Sequence, residues 1–127
     1  MVTFSIKRLK KSLDFKKITN DGLKVYSSSF LLFYTPNYED LKTLKVGFTA
    51  SRRIGGAVQR NRCKRLMKSL IADVLSKNIT LPFQCVMVAK PGILLTPYRK
   101  LKEEMLFCTK KMEKSIASFD TYTQKIA

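Results

Sequence analysis

The sequence predicts an α/β (α+β) two-layer sandwich, in which three helices pack on a single four-stranded sheet in the order α-β-β-β-α-β-α. Three observations carry this prediction. A strand pattern changes into a helical pattern within residues 45–75, and further short apolar runs typical of strands lie on both sides of that segment. Apolar residues also recur at helical spacing from Leu101 to Met112. At 127 residues, the chain is expected to form one domain over residues 1–127.

The segment Lys45–Leu75 organises the chain. It begins as a strand with one face formed by Val46, Phe48 and Ala50 and the other by Gly47, Thr49 and Ser51. The pair Gly55-Gly56 then turns the chain into a helix. One stripe of that helix is apolar and is predicted to be buried: Cys63, Leu66, Met67, Leu70, Ile71, Val74 and Leu75. The opposite side carries Lys64, Arg65 and Lys68, with Arg62 at its margin.

The placement of positive charge on this helix predicts an anionic partner. Arg60 and Arg62 lie in its first turns, where the partial positive charge of a helix N-terminus favours acidic residues. Nine Lys or Arg residues and no Asp or Glu occur from Leu41 to Ala72. Because such crowding opposes folding by self-repulsion, we expect it to meet dense negative charge, for example phosphates. The alternative is a solvated basic face, which is disfavoured because such faces usually mix both signs.

Composition favours a nucleic acid as this partner. The net charge is +16 and the pI is about 10.1. An anionic membrane surface is the competing partner, but the sequence has no Trp and no apolar run long enough to span a bilayer. No apolar signal core follows the basic N-terminal residues, so we expect no membrane partner and a cytoplasmic protein.

The cysteines predict buried thiols. Cys63, Cys85 and Cys108 are odd in number, widely spaced and form no CxxC pair, and the chain has no His. A zinc site would need ligands that this pattern lacks. Each cysteine lies in an apolar pattern, which favours buried thiols in a reducing compartment.

The first third of the chain is predicted to contain one helix and two strands. Met1–Lys11 is basic and is expected to be extended or loosely held, with residues 1–7 flexible. Ser12 is predicted to cap a helix over Leu13–Thr19, which Asn20-Asp21-Gly22 ends. Strands follow at Leu23–Ser27 and Phe30–Thr35.

The strand Phe30–Thr35 is apolar on both faces, which leaves two interpretations open. Its faces are formed by Phe30, Leu32 and Tyr34 on one side and by Leu31 and Phe33 on the other. Either one face enters the core while the other lines a groove, or the strand is buried on both sides.

The remaining elements complete the predicted order. Pro36–Thr43 is predicted to be a polar loop, and the central helix to end near Lys77-Asn78. A strand is expected at Phe83–Lys90. Thr96 and Pro97 are typical of the cap and first position of a helix. The inward stripe of this last helix is predicted to be Leu101, Met105, Cys108 and Met112, and residues 118–127 show no pattern and are expected to be flexible.

The sequence contains no recognisable protein active site. None of the nine acidic residues forms a DxD or DxE pair of the kind that two-metal nucleases use. The absence of His excludes a Ser-His or Cys-His pair. Gly55-Gly56 lacks the GK[ST] ending of a Walker loop. If the protein takes part in phosphodiester chemistry, another molecule must supply the catalytic groups.

Several blocks of residues resemble one family. The main block is Ser51-Arg52-Arg53-Ile54-Gly55 followed by Ala57-Val58-Gln59-Arg60-Asn61-Arg62-Cys63-Lys64-Arg65-Leu66, which is centred on the sequence RNR. Further blocks are Arg8-Leu9-Lys10-Lys11 with Asp14-Phe15 and Gly22, and Val86-Met87-Val88-Ala89-Lys90. Together they resemble the signature of the bacterial ribonuclease P protein subunit, in the same order from Arg8 to Met112.

The resemblance implies a ribonucleoprotein endonuclease that removes the 5′ leader from precursor tRNA. In that family the RNA subunit performs the metal-dependent hydrolysis, so the resemblance implies no catalytic residues in the protein, no cofactor of its own and Mg²⁺ in the holoenzyme. The implied partners are the catalytic RNA subunit and precursor tRNA, and no DNA is expected. The residues expected to bind the RNA subunit are Arg52, Arg53, Arg60, Asn61, Arg62, Lys64, Arg65 and Lys68.

The resemblance also implies a cleft for the single-stranded leader, between the first helix and the open face of the sheet. The matching positions are Phe15, Leu31, Phe33, Thr49 and Ser51. Aromatic faces stack on unpaired bases without strong sequence preference. Phe15 can equally be an ordinary core residue of an amphipathic helix, and this alternative stays open.

The chain departs from the family pattern at a few positions. Thr19 stands where a second aromatic is often found, Phe33 where tyrosine is frequent, and Lys90 where arginine is common. The family fold implies a left-handed crossover around the RNR helix, similar to a domain of ribosomal proteins and to domain IV of elongation factor G, although general rules favour the opposite hand.

The alternative function is that of a ribosomal or RNA-chaperone-type protein that has no role in cleavage. A DNA-binding module is disfavoured because no companion helix lies a short turn away.

Overall fold

A computed structural model of the chain describes residues 5–37 and 42–126, with side chains as far as residue 115. Its elements are β1 Ser5–Arg8, α1 Ser12–Asp21, β2 Leu23–Tyr26, β3 Phe30–Pro36, β4 Thr43–Thr49, α2 Ala57–Leu70, α3 Ser76–Asn78, β5 Phe83–Ala89 and α4 Tyr98–Ile126. A π-helical segment, Ile71–Leu75, joins α2 to α3, and a 3₁₀ turn, Ile93–Leu95, precedes α4. The α/β sandwich predicted from the sequence is confirmed.

Among the described residues, the sheet has five strands in the order β1-β4-β5-β3-β2. Strands β4 and β5 are parallel neighbours, which α2 connects, and β3 runs antiparallel to both β5 and β2. The prediction of four strands was wrong because β1 pairs in parallel with β4 at the edge of the sheet. All four residues of β1 are exposed, and two of them are basic. A short exposed edge strand of this kind carries no alternating apolar pattern that a sequence analysis can detect.

The two faces of the sheet have different coverings. The main core lies on the face covered by α2 and α4, and it includes Phe30, Leu32, Leu44, Val46, Phe83 and Met87. On the opposite face, α1 covers a smaller cluster formed by Leu9, Ile18 and Val86, with Phe15, Phe33 and Val88 half-buried beside it. In β3 the buried residues alternate with the half-buried Leu31 and Phe33. This alternation agrees with the first of the two interpretations, a strand with one core face and one partly open face.

The central helix agrees closely with its predicted pattern. Its stripe is buried at every predicted position except Leu66, which is half-buried. The helical segment ends at Asn78, as expected. Ile71–Leu75 adopts π-helical geometry, which the sequence did not predict. This local widening lies inside the stripe, where Ile71, Val74 and Leu75 remain buried.

Two predicted helix caps were wrong. Ser12 is the first residue of α1 and not its cap, because Lys11 occupies the cap position without a side-chain hydrogen bond. Thr96 does not cap α4, because its hydroxyl donates to the carbonyl oxygen of Gly92 at 3.0 Å. The first carbonyl acceptor of α4 is that of Pro97, which receives the backbone N–H of Leu101 at 3.1 Å.

The last helix has the predicted inward stripe and extends further than its pattern. Leu101, Met105, Cys108 and Met112 are fully buried. The helix continues to Ile126, beyond Ser118, where the sequence lacks an apolar pattern. Flexibility of residues 118–127 stays a prediction, as does flexibility of residues 1–7, of which 5–7 belong to β1 and 1–4 lie outside the described residues.

Two further observations concern the loop before β4 and the helices as a group. The predicted loop Pro36–Thr43 is shorter than expected because Pro36 ends β3 and Thr43 begins β4, and its residues 38–41 lie outside the described part. Within the described ranges, the helices include none that is long and apolar enough to cross a lipid bilayer.

The orientation of α2 can be tested by comparing one residue from each side of the helix. Met67 is fully buried, whereas Arg62 is exposed. We predict that Met67→Ala lowers the free energy of unfolding by about 2–5 kcal/mol, because it leaves a cavity in the core. Arg62→Ala should change it by no more than about 0.5 kcal/mol. Urea denaturation measures both values, and a loss for Arg62→Ala as large as that for Met67→Ala would contradict this orientation.

Candidate nucleic-acid interface

The chain enters α2 through a tight turn at Ser51–Gly55. Backbone N–H groups of Ile54 and Gly55 donate to the carbonyl oxygens of Ser51 and Arg52 at 3.0 and 3.2 Å. Gly55 has φ = 142°, a conformation that other residues rarely adopt, so a glycine is required here. The turn leaves Arg52 and Arg53 exposed immediately before the helix.

The predicted RNA-binding residues of α2 form one cationic surface, which we call the α2 face. Asn61, Arg62, Arg65 and Lys68 are exposed, and Lys64 is half-buried. The cap residue Gly56 offers no side chain to the first turn, and that turn contains no acidic residue. The α2 face therefore adds side-chain charge to the positive end of the helix dipole without local compensation.

Arg60 differs from the other arginines of the RNR sequence. It lies three and seven residues before Cys63 and Met67, so it continues the buried stripe towards the N-terminus of the helix. Its Nε atom is buried and has no hydrogen-bond partner among the described residues. A buried donor without a partner is costly, and an RNA oxygen can accept from it only if the Arg60 side chain first turns outward.

Two grooves flank the α2 face. One is a cavity of about 410 Å³ lined by Arg8, Asn61, Lys64, Arg65 and Lys68. Arg8 was not among the predicted site residues, because only the pairing of β1 with β4 brings it to α2. The other groove has a volume of about 370 Å³ and lies between Arg62 and Arg65 on one side and Leu94, Thr96 and Tyr98 on the other.

Tyr98 has a fixed position in the second groove. Its hydroxyl donates to Asp73 Oδ2 at 2.6 Å. Burial of the ring and this carboxylate raise the pKa of Tyr98 to about 12, so the phenol is neutral at physiological pH. The groove therefore presents an uncharged aromatic ring beside two arginines.

The predicted leader residues lie on the sheet face that α1 partly covers. Cross-strand pairing forms two adjacent rows there. The inner row consists of Gly47, Val86, Phe33 and Lys24, and the outer row of Thr49, Val88, Leu31 and Tyr26. Helix α1 packs on β3 and β5 and contributes Phe15 and Ile18 to the cluster that contains Val86. The outer row thus lies beside α1 on this face of the sheet, where the leader cleft is expected to have its floor.

The structure brings most of the predicted leader residues together. Phe15 and Phe33 belong to one cluster, and Thr49 and Leu31 both pair with Val88. Ser51 follows the end of β4 and is exposed. Val88, Tyr26 and Lys24 were not predicted, because the strand register that aligns them cannot be inferred from one sequence.

Gly47 makes room for Phe15. A Cβ atom at Gly47 would lie 2.3 Å from Phe15 Cζ, closer than such atoms ever approach. The half-buried ring of Phe15 therefore rests directly on the backbone of β4. Phe15 is part of the small cluster and is also partly accessible from the cleft, so both interpretations of this residue stay open.

The three cysteines are enclosed in the interior of the protein. Cys63, Cys85 and Cys108 are buried free thiols, as predicted. Burial raises the pKa of all three, that of Cys108 to about 11. In the described part of the chain, no three His, Cys, Asp or Glu side chains are grouped so that they could hold a metal ion.

Comparison with protein families gives a direct match. The family model for ribonuclease P matches residues 5–113. The chain belongs to the ribonuclease P protein family. It is 36% identical over 101 residues to the ribonuclease P protein component of a Nitratiruptor species, which covers 79% of this chain and 86% of the relative. It is 32% identical over 107 residues to the corresponding protein of Geotalea uraniireducens, which covers 84% and 91%.

Solved structures of ribonuclease P proteins share its fold. A Staphylococcus aureus RNase P protein has a TM-score of 0.68 at 22% identity, with 84% of this chain and 94% of that chain covered. The RNase P protein from Thermotoga maritima has a TM-score of 0.68 at 21% identity, with 83% and 96% covered. A protein of this family is a component of an endoribonuclease complex for tRNA processing and has an RNA partner in that ribonucleoprotein.

The contact between Gly47 and Phe15 can be tested by a double-mutant cycle. We predict that Gly47→Ala lowers the free energy of unfolding by about 1–3 kcal/mol, because the added methyl group displaces the ring. In a Phe15→Ala background the same change should cost much less, since the conflicting atoms are absent. Urea denaturation of the four proteins measures the coupling. An equal cost of Gly47→Ala in both backgrounds would contradict the contact.

Proposed function

We propose that this protein binds the catalytic RNA of ribonuclease P through its α2 face and holds the single-stranded 5′ leader of precursor tRNA in the cleft beside α1. In this way it promotes the endonucleolytic removal of the leader that produces the mature 5′ end. The observation that carries the proposal is the position of a cationic helix directly after the strand that forms the cleft.

The chemistry of the α2 face supports the assignment to the RNA subunit. Arg52, Arg53 and Arg62 are exposed, and an arginine fork can bind a phosphate by two hydrogen bonds. Arg60 would offer its unpartnered Nε once its side chain turns outward, and Asn61 can reach a base edge or a 2′-hydroxyl. Arg8 and Lys68 extend the same surface across the first groove. A folded RNA with closely spaced phosphates matches such a surface better than a single strand does.

The chemistry of the cleft supports the assignment to an unpaired strand. Its accessible groups include two half-buried aromatic rings, aliphatic side chains and the hydroxyls of Thr49 and Ser51. Aromatic and aliphatic surfaces pack against the faces of bases, and each base offers such a face whatever its identity. A cleft of this kind accepts leaders of different sequence.

The protein supplies binding, and we propose that the RNA subunit supplies the catalytic groups and the Mg²⁺ ions. This division agrees with the described residues, among which no group of three His, Cys, Asp or Glu side chains could hold a metal ion as a two-metal site does. Its cations instead neutralise phosphates where two RNA molecules meet, which lowers the Mg²⁺ concentration that the complex needs. We place this activity in the cytoplasm, where precursor tRNA is made.

Reconstitution with the cognate RNA subunit tests the function. At low Mg²⁺ concentration, we predict that the protein increases the rate of leader removal by the RNA subunit. The product should carry the 5′ end of the mature tRNA. An unchanged rate, together with association of the protein with ribosomes in a gradient, would instead favour a ribosomal or chaperone-type protein.

Arg62→Ala tests the role of the α2 face. We predict weaker binding to the RNA subunit and a slope of log K against log salt that is smaller by about one phosphate contact. The control is Lys110→Ala, which removes the same charge from an exposed position on α4. It should leave the slope unchanged. If both variants have the slope of the unmodified protein, Arg62 does not contact phosphate.

A further inference from the structure

The floor of the cleft ends in an aromatic ring on β2. Tyr26 pairs with Leu31 and is the last member of the outer row. Its neighbour Val25 is buried in the main core, so Tyr26 faces the opposite side, towards the cleft. Its side chain is 60% exposed, whereas Phe15 and Phe33 are half-buried. Among the described aromatic residues on this face, Tyr26 therefore has a more accessible ring than Phe15 and Phe33.

A network of hydrogen bonds fixes the turn that follows Tyr26. Lys90 Nζ donates to the carbonyl oxygen of Ser27 at 2.6 Å, and the backbone N–H of Lys90 donates to that of Ser29 at 3.0 Å. The hydroxyls of Ser28 and Ser29 both donate to the carboxylate of Glu104 on α4. Because the turn is attached to both β5 and α4, the position of Tyr26 is set before any ligand binds.

Positive charge accompanies the rings at this end of the floor. Lys90 Nζ lies 5.6 Å from the centre of the Tyr26 ring, and Lys24 Nζ lies 5.5 Å from the centre of the Phe33 ring. An exposed ring next to a lysine is the combination that binds single-stranded nucleic acids, with the base on the ring and the phosphate near the cation. A single exposed aromatic is common on protein surfaces, but Tyr26 lies beside the inner row, in which Phe33 and Lys24 already combine a ring with a cation.

The order of the row gives the RNA strand a direction. At its other end, Thr49 is followed by Ser51 and by the exposed Arg52 and Arg53, which lead into the α2 face. Under the proposed function, that face binds the RNA that cuts the leader, so the nucleotides nearest the cleavage site lie at Thr49. Tyr26 on β2 lies three strand spacings from Thr49 on β4, which is about 14 Å at the usual distance between neighbouring strands.

We propose that Tyr26 and Lys90 form a binding site for a leader nucleotide further from the cleavage site than those at Thr49 and Ser51. The base packs on the Tyr26 ring, and the phosphate lies near Lys90. The leader then crosses the sheet from β4 to β2, with its 5′ side at Tyr26. This site rests on the proposed function and adds to it a direction and a minimum leader length.

A series of precursor tRNAs whose leaders lengthen one nucleotide at a time tests the site. The holoenzyme with Tyr26→Ala should bind precursors with the shortest leaders as tightly as the unmodified holoenzyme does. Once the leader is long enough to reach β2, the variant should bind at least about fivefold more weakly, because one base loses its aromatic partner. The salt dependence should stay the same, since a neutral ring releases no counterions.

Two matched variants control this experiment. Tyr26→Phe keeps the ring and should bind all leaders as the unmodified protein does. Leu23→Ala removes an exposed residue from the opposite face of β2 and should show no dependence on leader length. Urea denaturation establishes that Tyr26→Ala is folded.

The results that would contradict the Tyr26 site differ from the result that would contradict the proposed function. Equal weakening at every leader length, or weaker binding of the RNA subunit alone, would overturn the Tyr26 site, as would unchanged binding of the longest leaders. If the unmodified holoenzyme does not distinguish leaders of any length from mature tRNA, then the proposed function itself fails.

Discussion

Burial of one stripe of α2 is the interaction on which the rest of this structure depends. Cys63, Met67 and Leu70 are fully buried, and each large apolar side chain contributes about 1.5–3 kcal/mol when it leaves water. The opposing electrostatic term is smaller, because an unfavourable charge at a helix terminus costs about 0.3–1 kcal/mol. Core packing therefore stabilises α2 against the repulsion among its own positive charges. In the free protein Arg52, Arg53, Arg62 and Arg65 are exposed, and the first turn of α2 contains no acidic residue. Under the proposed function, the phosphates of the RNA partner would relieve that repulsion.

The same constraint relates the two candidate RNA sites to each other. Strand β4 carries Gly47 under Phe15 and Thr49 in the floor of the cleft, and the next seven residues turn directly into α2. Since β4 lies inside the sheet between β1 and β5, neither the cleft nor the α2 face can move without disturbing the core. Under the proposed function, this rigid connection would let one small protein align a substrate strand with a second RNA.

Much of this arrangement follows from local patterns in the sequence. The stripe of α2, the buried face of β3 and the stripe of α4 are periodic, and each was predicted because burial imposes that period. Strand β1 was missed because it is held by backbone pairing and not by apolar side chains. Arg8, Val88 and Tyr26 were missed for a related reason: they join their sites through strand pairing, which depends on the register of distant segments. The predicted caps at Ser12 and Thr96 were wrong because the backbone conformation and hydrogen bonds of the adjacent turns outweigh the preference of Ser and Thr for cap positions.

The central claim is that one protein binds the catalytic RNA with its helix and the leader with its cleft. It is tested most directly by measuring how tightly the RNA subunit binds precursor tRNA and mature tRNA, with and without the protein. We predict that the protein tightens the binding of precursor tRNA more than that of mature tRNA, and that this difference requires the leader. Equal tightening of both tRNAs would contradict it. The protein would then be a basic stabiliser of RNA, and Phe15 and Phe33 would be core residues only.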